Sequence, residues 1–187
     1  VRDFGADTLR LYEMFMGPLE ASKPWSNQGV EGAYKFINRV YRIIAEANII
    51  TSEPVKELEK VYHQTVKKVT EDYEALSFNT AISQMMIFIN EVYKVNKLPK
   101  EYALGFVKMI SCITPHLGEE LWQILGNTNT IAYEAWPTYI LELTKNDEIT
   151  VVVQINGKIR DKLVVANGTS KEELEKLALS SEKVIAN

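Results

Sequence analysis

Three basic side chains on one predicted helix form the pattern in this sequence that best suits a polyanionic ligand. Lys35, Arg39 and Arg42 follow one another at intervals of four and three residues, so they share one helix face. No acidic residue occurs between positions 33 and 42. Such a stripe can follow a phosphate backbone. The alternative is a solvated face, because Glu31 and Glu46 extend the same stripe and can form ion pairs within the helix.

A second candidate surface lies in a predicted β-hairpin toward the end of the sequence. Lys158, Arg160 and Lys162 alternate along one strand, so they are expected to share a face, with Gln154 of the preceding strand beside them. A basic strand face with an amide side chain is suited to RNA. The alternative is a strand edge that carries charge as protection against aggregation.

Other reactive residue types do not form a recognisable site in the sequence. His116 is followed by Glu119 and Glu120, but zinc needs three or four ligands and the other histidine, His63, falls on a different predicted helix. Cys112 has apolar neighbours, which predicts an inert core thiol. There is no Gly-rich phosphate loop, nucleophile elbow or catalytic triad. We therefore assign no catalytic, cofactor-binding or metal-binding residue.

The first stripe is predicted to lie on the second of six amphipathic helices. Short connections between these helices indicate an antiparallel bundle. Ser26 is the expected N-cap of the second helix, and Thr114 caps the sixth, which ends at Gly126. Helical spacing of apolar residues predicts helices over about 5–16, 27–49, 54–76, 80–95, 100–113 and 115–126.

The pattern changes near Asp147 from helical to strand-like. Residues 149–155 and 158–165 are rich in β-branched side chains and are predicted to be two strands of a hairpin. Ser170 and Glu173 form a capping box for a last helix through Leu179. We therefore expect a mainly α fold, with a helical bundle over 1–146 and a small, truncated α/β module over 147–187.

The turn of this hairpin has two possible lengths. Asn156-Gly157 is typical of a two-residue turn, but that register pairs Ile155 with Lys158 and mixes apolar and basic faces. A three-residue loop with a left-handed Gly157 pairs Val153 with Ile159 and Ile149 with Leu163. We favour the longer loop because register normally follows the buried face.

Composition limits the class of protein. The 187 residues are 46% hydrophobic and 25% charged, as expected for one globular domain with at most a small appendage. The net charge of −4 argues against a general nucleic-acid coat but allows local basic patches. A single cysteine suggests a reducing compartment such as the cytoplasm. No apolar run approaches the ~20 residues of a membrane span.

Several phrases of the sequence resemble the C-terminal part of bacterial-type leucyl-tRNA synthetases, which are class I enzymes. The phrases MFMGPLEASKPW (14–25) and VQINGKIR (153–160) are similar to leucine-type sequences at both ends of the chain. Three further stretches resemble motifs of this family and its isoleucine and valine relatives: FGADTLR (4–10), FNTAI (78–82) and the stretch from Pro115 to Trp122. The resemblance covers essentially the whole chain.

The resemblance implies a helical domain of the anticodon-binding type, joined through residues 1–26 to a catalytic domain outside this chain. It implies a complete enzyme that attaches leucine to leucine tRNA with ATP and magnesium, and an editing domain that also lies outside this chain. This piece would be an inactive, monomeric tRNA-positioning fragment. The resemblance favours phosphate contacts at both basic surfaces. The competing hypothesis is a helical protein-interaction module without RNA binding.

Overall fold

The computed structural model describes residues 1–146, 148–155 and 157–181. Contacts divide the chain into two compact units, 1–144 and 145–187. Each unit is described by itself.

The first unit is a bundle of α-helices, which confirms the predicted mainly helical fold. Over 1–144, where every residue is described, the helices are α1 (Ala6–Phe15), α2 (Asn27–Tyr41), α3 (Lys56–Glu74), α4 (Phe78–Val95), α5 (Lys100–Ser111) and α6 (Pro115–Ile124). Helix α3 packs against α4, α5 packs against α6, and α1 packs against both α2 and α4. Short 3₁₀ turns follow at Ile131–Tyr133 and Glu142–Thr144.

Helix α2 ends earlier than the predicted residue 49. A π-helical turn, Arg42–Glu46, follows it, and Asn48 then adopts a left-handed φ of 53°. The chain leaves the helix as strand β1 (Ile50–Thr51), which pairs in parallel with β2 (Leu98–Pro99). Two-residue strands carry no periodic signal, so the sequence did not predict this sheet.

The core of the bundle is made by one apolar face from each of the later helices. Each of the helices α3 to α6 contributes a completely buried side chain: Leu58, Phe88, Phe106 and Leu121 in that order. Helix α5 is mostly buried between Ala103 and Ile110, where Lys108 is the one charged residue. Interdigitation of these side chains fixes how the helix faces outside the core are presented to solvent.

Cys112 is exposed, so the prediction of a core thiol was wrong. It follows the last residue of α5, where the side chain points away from the buried face that ends at Ile110. Its sulfur approaches the Lys108 carbonyl oxygen at 3.8 Å. Partial burial of that sulfur raises the pKa of the thiol, so the reactive thiolate is disfavoured.

Helix α6 receives its cap from a distant residue. The predicted cap, Thr114, makes no side-chain bond to the helix start, and its hydroxyl instead donates to the Ile110 carbonyl at 3.0 Å. The N–H of Leu117, in the first turn of α6, donates to Asp7 of α1 at 2.8 Å. By contrast, Ser26 caps α2 as predicted, accepting from the Gly29 N–H at 3.1 Å, and Gly126 has the left-handed φ of a C′ glycine.

The second unit contains the antiparallel hairpin of β3 (Glu148–Ile155) and β4 (Lys158–Ala166). Ile155 pairs with Lys158, so the favoured three-residue loop was wrong. Asn156 lies outside the described residues. Gly157 has a φ of 77°, left-handed as predicted. The connection is therefore the two-residue type that Asn-Gly sequences prefer.

The predicted strand pairing was also wrong. Val153 pairs with Asp161 instead of Ile159, and Ile149 pairs with Val165 instead of Leu163. The register shifts by one residue at the Val153/Gln154 step. This bulge absorbs one residue of β4 and restores apolar pairs farther from the turn, Val151 with Leu163 and Ile149 with Val165, whereas the pairs next to the turn stay mixed. Without the bulge, a two-residue turn would pair Val151 with Lys162 as well.

Helix α7 (Lys171–Ser180) follows the hairpin and contacts β4. Its predicted Ser170 cap is confirmed, since the hydroxyl accepts from the Glu173 N–H at 3.3 Å. Leu174 and Ala178 are its half-buried positions. The described side chains of the unit are otherwise much less buried than those of the bundle.

Candidate nucleic-acid interface

The three basic residues of the predicted stripe border one open depression on the surface of the bundle. Lys35, Arg39 and Arg42 line it together with Tyr34 and Asn38. Lys35 and Arg42 are exposed, and Arg39 is half-buried. The structure therefore brings the three cations together on one surface, as their spacing predicts.

These cations are not neutralised by the acids of their own helix. In the bundle, all of which is described, no carboxylate lies within ion-pair distance of Lys35, Arg39 or Arg42. Glu31 and Glu46, which the alternative interpretation pairs with them, form no such contact. Glu46 nevertheless borders the depression. The surface thus carries three positive charges against one nearby negative charge.

Arg39 is held in place by an aromatic ring from another helix. Its guanidinium carbon lies 4.8 Å from the ring centroid of Tyr93 on α4. A cation over a ring face is attracted by the ring's quadrupole, which contributes about 0.5–1 kcal/mol at exposed sites. Tyr93 still exposes 58% of its surface. The ring therefore restrains Arg39 without being enclosed.

Tyr93 is a candidate residue that no sequence pattern identified. The signal available was its position on α4, because the neighbouring Phe88, Ile89 and Val92 define the buried face and Tyr93 falls outside it. Exposed aromatic side chains are common on protein surfaces, and only the folded chain places this one next to Arg39. That contact joins residues 54 positions apart, which no local pattern predicts.

A second depression adjoins the first at Arg42. It is bordered by Arg42, Glu46, Tyr93 and Asn96 and has an apolar wall from Ile43. Arg42 begins the π-helical turn, so the change in helical geometry falls at the boundary between the two depressions. π-helical turns inside helices occur frequently at functional sites. The Arg42 guanidinium therefore borders both depressions.

The basic residues of the hairpin do not share one face, contrary to prediction. Lys158 pairs with Ile155, whereas Lys162 lies on the face of Gln154. Arg160 falls at the bulge, without a paired partner on β3. All four side chains are exposed. The hairpin therefore presents charge on both faces, because the bulge changes the alternation between Lys158 and Lys162.

The residues considered for metal or nucleophilic chemistry have structural partners. His116 Nδ1 lies 2.9 Å from the Asp7 carboxylate, and Glu119 accepts from the Thr130 hydroxyl and the Ile131 N–H. Within 1–146, 148–155 and 157–181, no three His, Cys, Asp or Glu side chains are grouped to hold a metal ion. Across the same residues no helix has the length and apolarity to cross a membrane.

The chain thus combines a helical bundle, which carries a basic depression on α2, with a small β-hairpin unit. The chain belongs to the family described as the anticodon-binding domain of tRNA ligase, whose profile matches residues 55–176. It is thus an anticodon-binding domain of the class I tRNA ligases. The candidate stripe on α2 precedes the matched region, whereas Tyr93 and the hairpin fall inside it.

One solved relative is similar to the entire chain. It is the agnB2 LeuRS of Agrobacterium radiobacter K84, determined as a ternary LeuRS-tRNA-LeuAMS complex. The two share 25% sequence identity with a TM-score of 0.74, and the similarity covers 100% of this chain. The chain corresponds to 27% of the length of that relative. These findings confirm the resemblance to leucyl-type enzymes found in the sequence.

Proposed function

We propose that this chain is the tRNA-positioning part of a leucine–tRNA ligase. The observation that carries the proposal is the similarity to a LeuRS over the full chain, including α1, α2 and the hairpin unit. The leucine-type phrases at 14–25 and 153–160 support it independently, because they lie in different units of the structure. Leucine specificity is the part of the proposal that goes beyond the family.

Positioning would depend on contacts to the RNA backbone. Lys35 and Arg42 are exposed and lack carboxylate partners, so their charges are available to phosphates. Phosphate contacts fix the register and orientation of a nucleic acid but carry no direct sequence information. The residues over 147–187 are proposed to begin a second tRNA-binding domain, with Gln154, Lys158, Arg160 and Lys162 as its exposed polar contacts.

The chemistry would belong to other parts of the complete protein. We assign three reactions to catalytic and editing domains beyond these residues: the activation of leucine with ATP and magnesium, the transfer of leucine to tRNA, and editing. In this chain, residues 1–26 would join the bundle to the catalytic domain. We expect this chain alone to bind tRNA as a monomer in the cytoplasm and to have no aminoacylation activity.

Binding of leucine tRNA, measured over a series of salt concentrations, tests the proposal. The 187-residue chain should bind an in vitro transcript of leucine tRNA, and its affinity should fall steeply as salt rises. A transcript without the long variable arm should bind more weakly. Absence of binding even at low salt would contradict the proposal and favour a protein-interaction module.

A further inference from the structure

The exposed ring of Tyr93 is a flat, uncharged surface that lies close to basic side chains. Tyr93 borders the depression that also contains Arg42, and Arg42 borders the neighbouring depression that contains Lys35. A nucleotide combines the same two components, an aromatic base and a phosphate. The contacts proposed above for the RNA backbone use the cations but give the exposed ring no contact with the RNA.

We propose that Tyr93 is a base-stacking residue, which receives an unpaired base of the bound RNA while Arg42 contacts the adjoining phosphate. This inference rests on the proposed function, because it requires that the chain bind RNA. It adds a single-stranded or looped-out nucleotide to the ligand, whereas backbone contacts alone would be satisfied by a duplex. Stacking on aromatic side chains is how proteins commonly hold unpaired RNA bases.

The ring is largely exposed and is contacted by Arg39. Tyr93 exposes 58% of its surface, although the opposite face of its helix is completely buried. Arg39 lies over one face of the ring, 4.8 Å from its centroid, so the proposed base would stack on the other face. A ring restrained by such a contact loses less side-chain entropy on binding than a freely rotating one. No other aromatic ring of the bundle packs against Tyr93.

The surroundings of the ring suit a base better than a phosphate. Ile43, Ala47 and Ile49 provide apolar surface in the same depression. Asn96 ends α4 in the left-handed conformation and borders the depression. A side-chain amide offers both donors and an acceptor, so it can bond to the edge of a base.

Glu46 is the group that opposes nucleotide binding here. It borders both depressions, together with Arg42. Its carboxylate repels a phosphate but accepts hydrogen bonds from the amino groups of bases. We expect Glu46→Gln to bind RNA more tightly than the unchanged chain, since the repulsion is removed while hydrogen bonding is retained.

Substitutions of Tyr93 test the stacking contact. The probe is the leucine tRNA transcript, titrated against the whole chain at several salt concentrations. Tyr93→Leu should weaken binding about tenfold without changing the salt dependence, because the stacking surface is lost and no charge is removed. Tyr93→Phe should bind like the unchanged chain. Tyr133→Leu is the matched control, since Tyr133 is 93% exposed and borders neither depression.

The outcomes separate this inference from the proposed function. If the unchanged chain binds the transcript and Tyr93→Leu binds equally well, stacking is wrong and the proposed function stands. If Tyr93→Leu weakens binding and also flattens the salt dependence, Tyr93 acts only by holding Arg39, which also overturns stacking. Equal losses in Tyr93→Leu and Tyr93→Phe would exclude the ring face as the contact. If the unchanged chain does not bind at all, both proposals fail.

Discussion

The Asp7 carboxylate caps helix α6 by accepting the Leu117 N–H at 2.8 Å, although the two residues lie 110 positions apart. Its other oxygen lies 2.9 Å from both Arg10 on α1 and His116 at the start of α6. Asp7 is almost completely buried, so these partners replace the water it loses. The contact fixes the first helix of the bundle to the last.

Replacing Asp7 should destabilise the bundle because α6 is then uncapped. We expect Asp7→Ala to lower the free energy of unfolding by about 1–2 kcal/mol, as for other helix-capping residues. Asp7→Asn retains an oxygen that can accept from Leu117, so the decrease should be smaller. Urea denaturation of the three proteins provides the comparison. Equal stability of Asp7→Ala and the unchanged chain would show that the cap contributes nothing.

Gly118 should not tolerate a larger side chain. A β-carbon at this position would lie 2.3 Å from the Ser111 Cβ and 2.9 Å from its Cα, so the helix backbones of α5 and α6 would have to separate. Such overpacking typically costs about 1–3 kcal/mol, which exceeds the helix propensity of about 1 kcal/mol that alanine gains over glycine. We therefore expect Gly118→Ala to lower the midpoint of thermal unfolding.

The control for this substitution is Gly32→Ala. Gly32 is also a helical glycine, but nothing lies within 4 Å of the position that its β-carbon would occupy. Alanine should therefore leave stability unchanged or raise it by up to about 1 kcal/mol. A similar decrease in both variants would mean that the close approach of α5 and α6 is not the cause.

His63 should make the stability of the bundle depend on pH. Its Nδ1 accepts the Ile140 N–H at 3.2 Å, which requires that nitrogen to be unprotonated. Burial lowers the pKa of His63, against a smaller opposing effect of Glu59 and Glu101. The unfolded chain therefore binds more protons than the folded one near pH 6.5, and stability rises with pH in that window.

The contribution of His63 to the free energy of unfolding is complete above the pKa that His63 has in the unfolded chain. It decreases as the pH falls through the lower pKa of the folded state. Between about pH 7 and pH 5, the free energy of unfolding should decrease more steeply for the unchanged chain than for His63→Gln. Chemical denaturation at a series of pH values measures both slopes. Parallel curves would rule out His63 as the titrating group.

Charge reversal on α2 should weaken RNA binding in a salt-dependent way. For Lys35→Glu and Arg42→Glu, we expect lower affinity for the leucine tRNA transcript, and a salt slope that decreases by about one for each phosphate that the side chain no longer binds. Lys56→Glu provides a control with the same change of charge, because Lys56 is exposed on α3 and borders neither depression. Equal effects at all three positions would indicate only nonspecific electrostatics.

Amide hydrogens of the hairpin unit should exchange faster than those of the bundle. Among its described residues, Val165 is the only buried hydrophobic side chain, whereas α5 alone completely buries Phe106, Met109 and Ile110. A smaller buried apolar surface permits local opening at lower free energy. Hydrogen exchange followed by mass spectrometry should detect this difference. Uniform protection across β3, β4 and α5 would contradict it.

The features that depend on local periodicity could be predicted from the sequence. Apolar residues at helical spacing located the helices of the bundle, and short polar motifs located the caps at Ser26 and Ser170. The spacing of Lys35, Arg39 and Arg42 also placed them correctly on one surface. Each of these features is determined within a few turns of one element, so neighbouring residues suffice to specify it.

Competing local preferences explain the failed predictions. The hairpin register depended on whether the turn or the buried face would prevail; the turn set the pairs next to it, and a bulge restored apolar pairing beyond them. Cys112 lies among apolar residues in sequence, but the end of α5 turns it outward. Each such preference is visible separately in the sequence, but which one prevails at a given residue depends on the folded chain.

By itself, the sequence determined the helical bundle, the family resemblance and the position of the basic stripe. Only the tertiary structure decided that Tyr93 lies beside Arg39 and that Asp7, rather than Thr114, caps α6. Both relationships join helices that are distant in sequence. The physical reason is that a helix's periodicity specifies which face it buries, whereas its neighbour is selected by the packing of all the helices into one core.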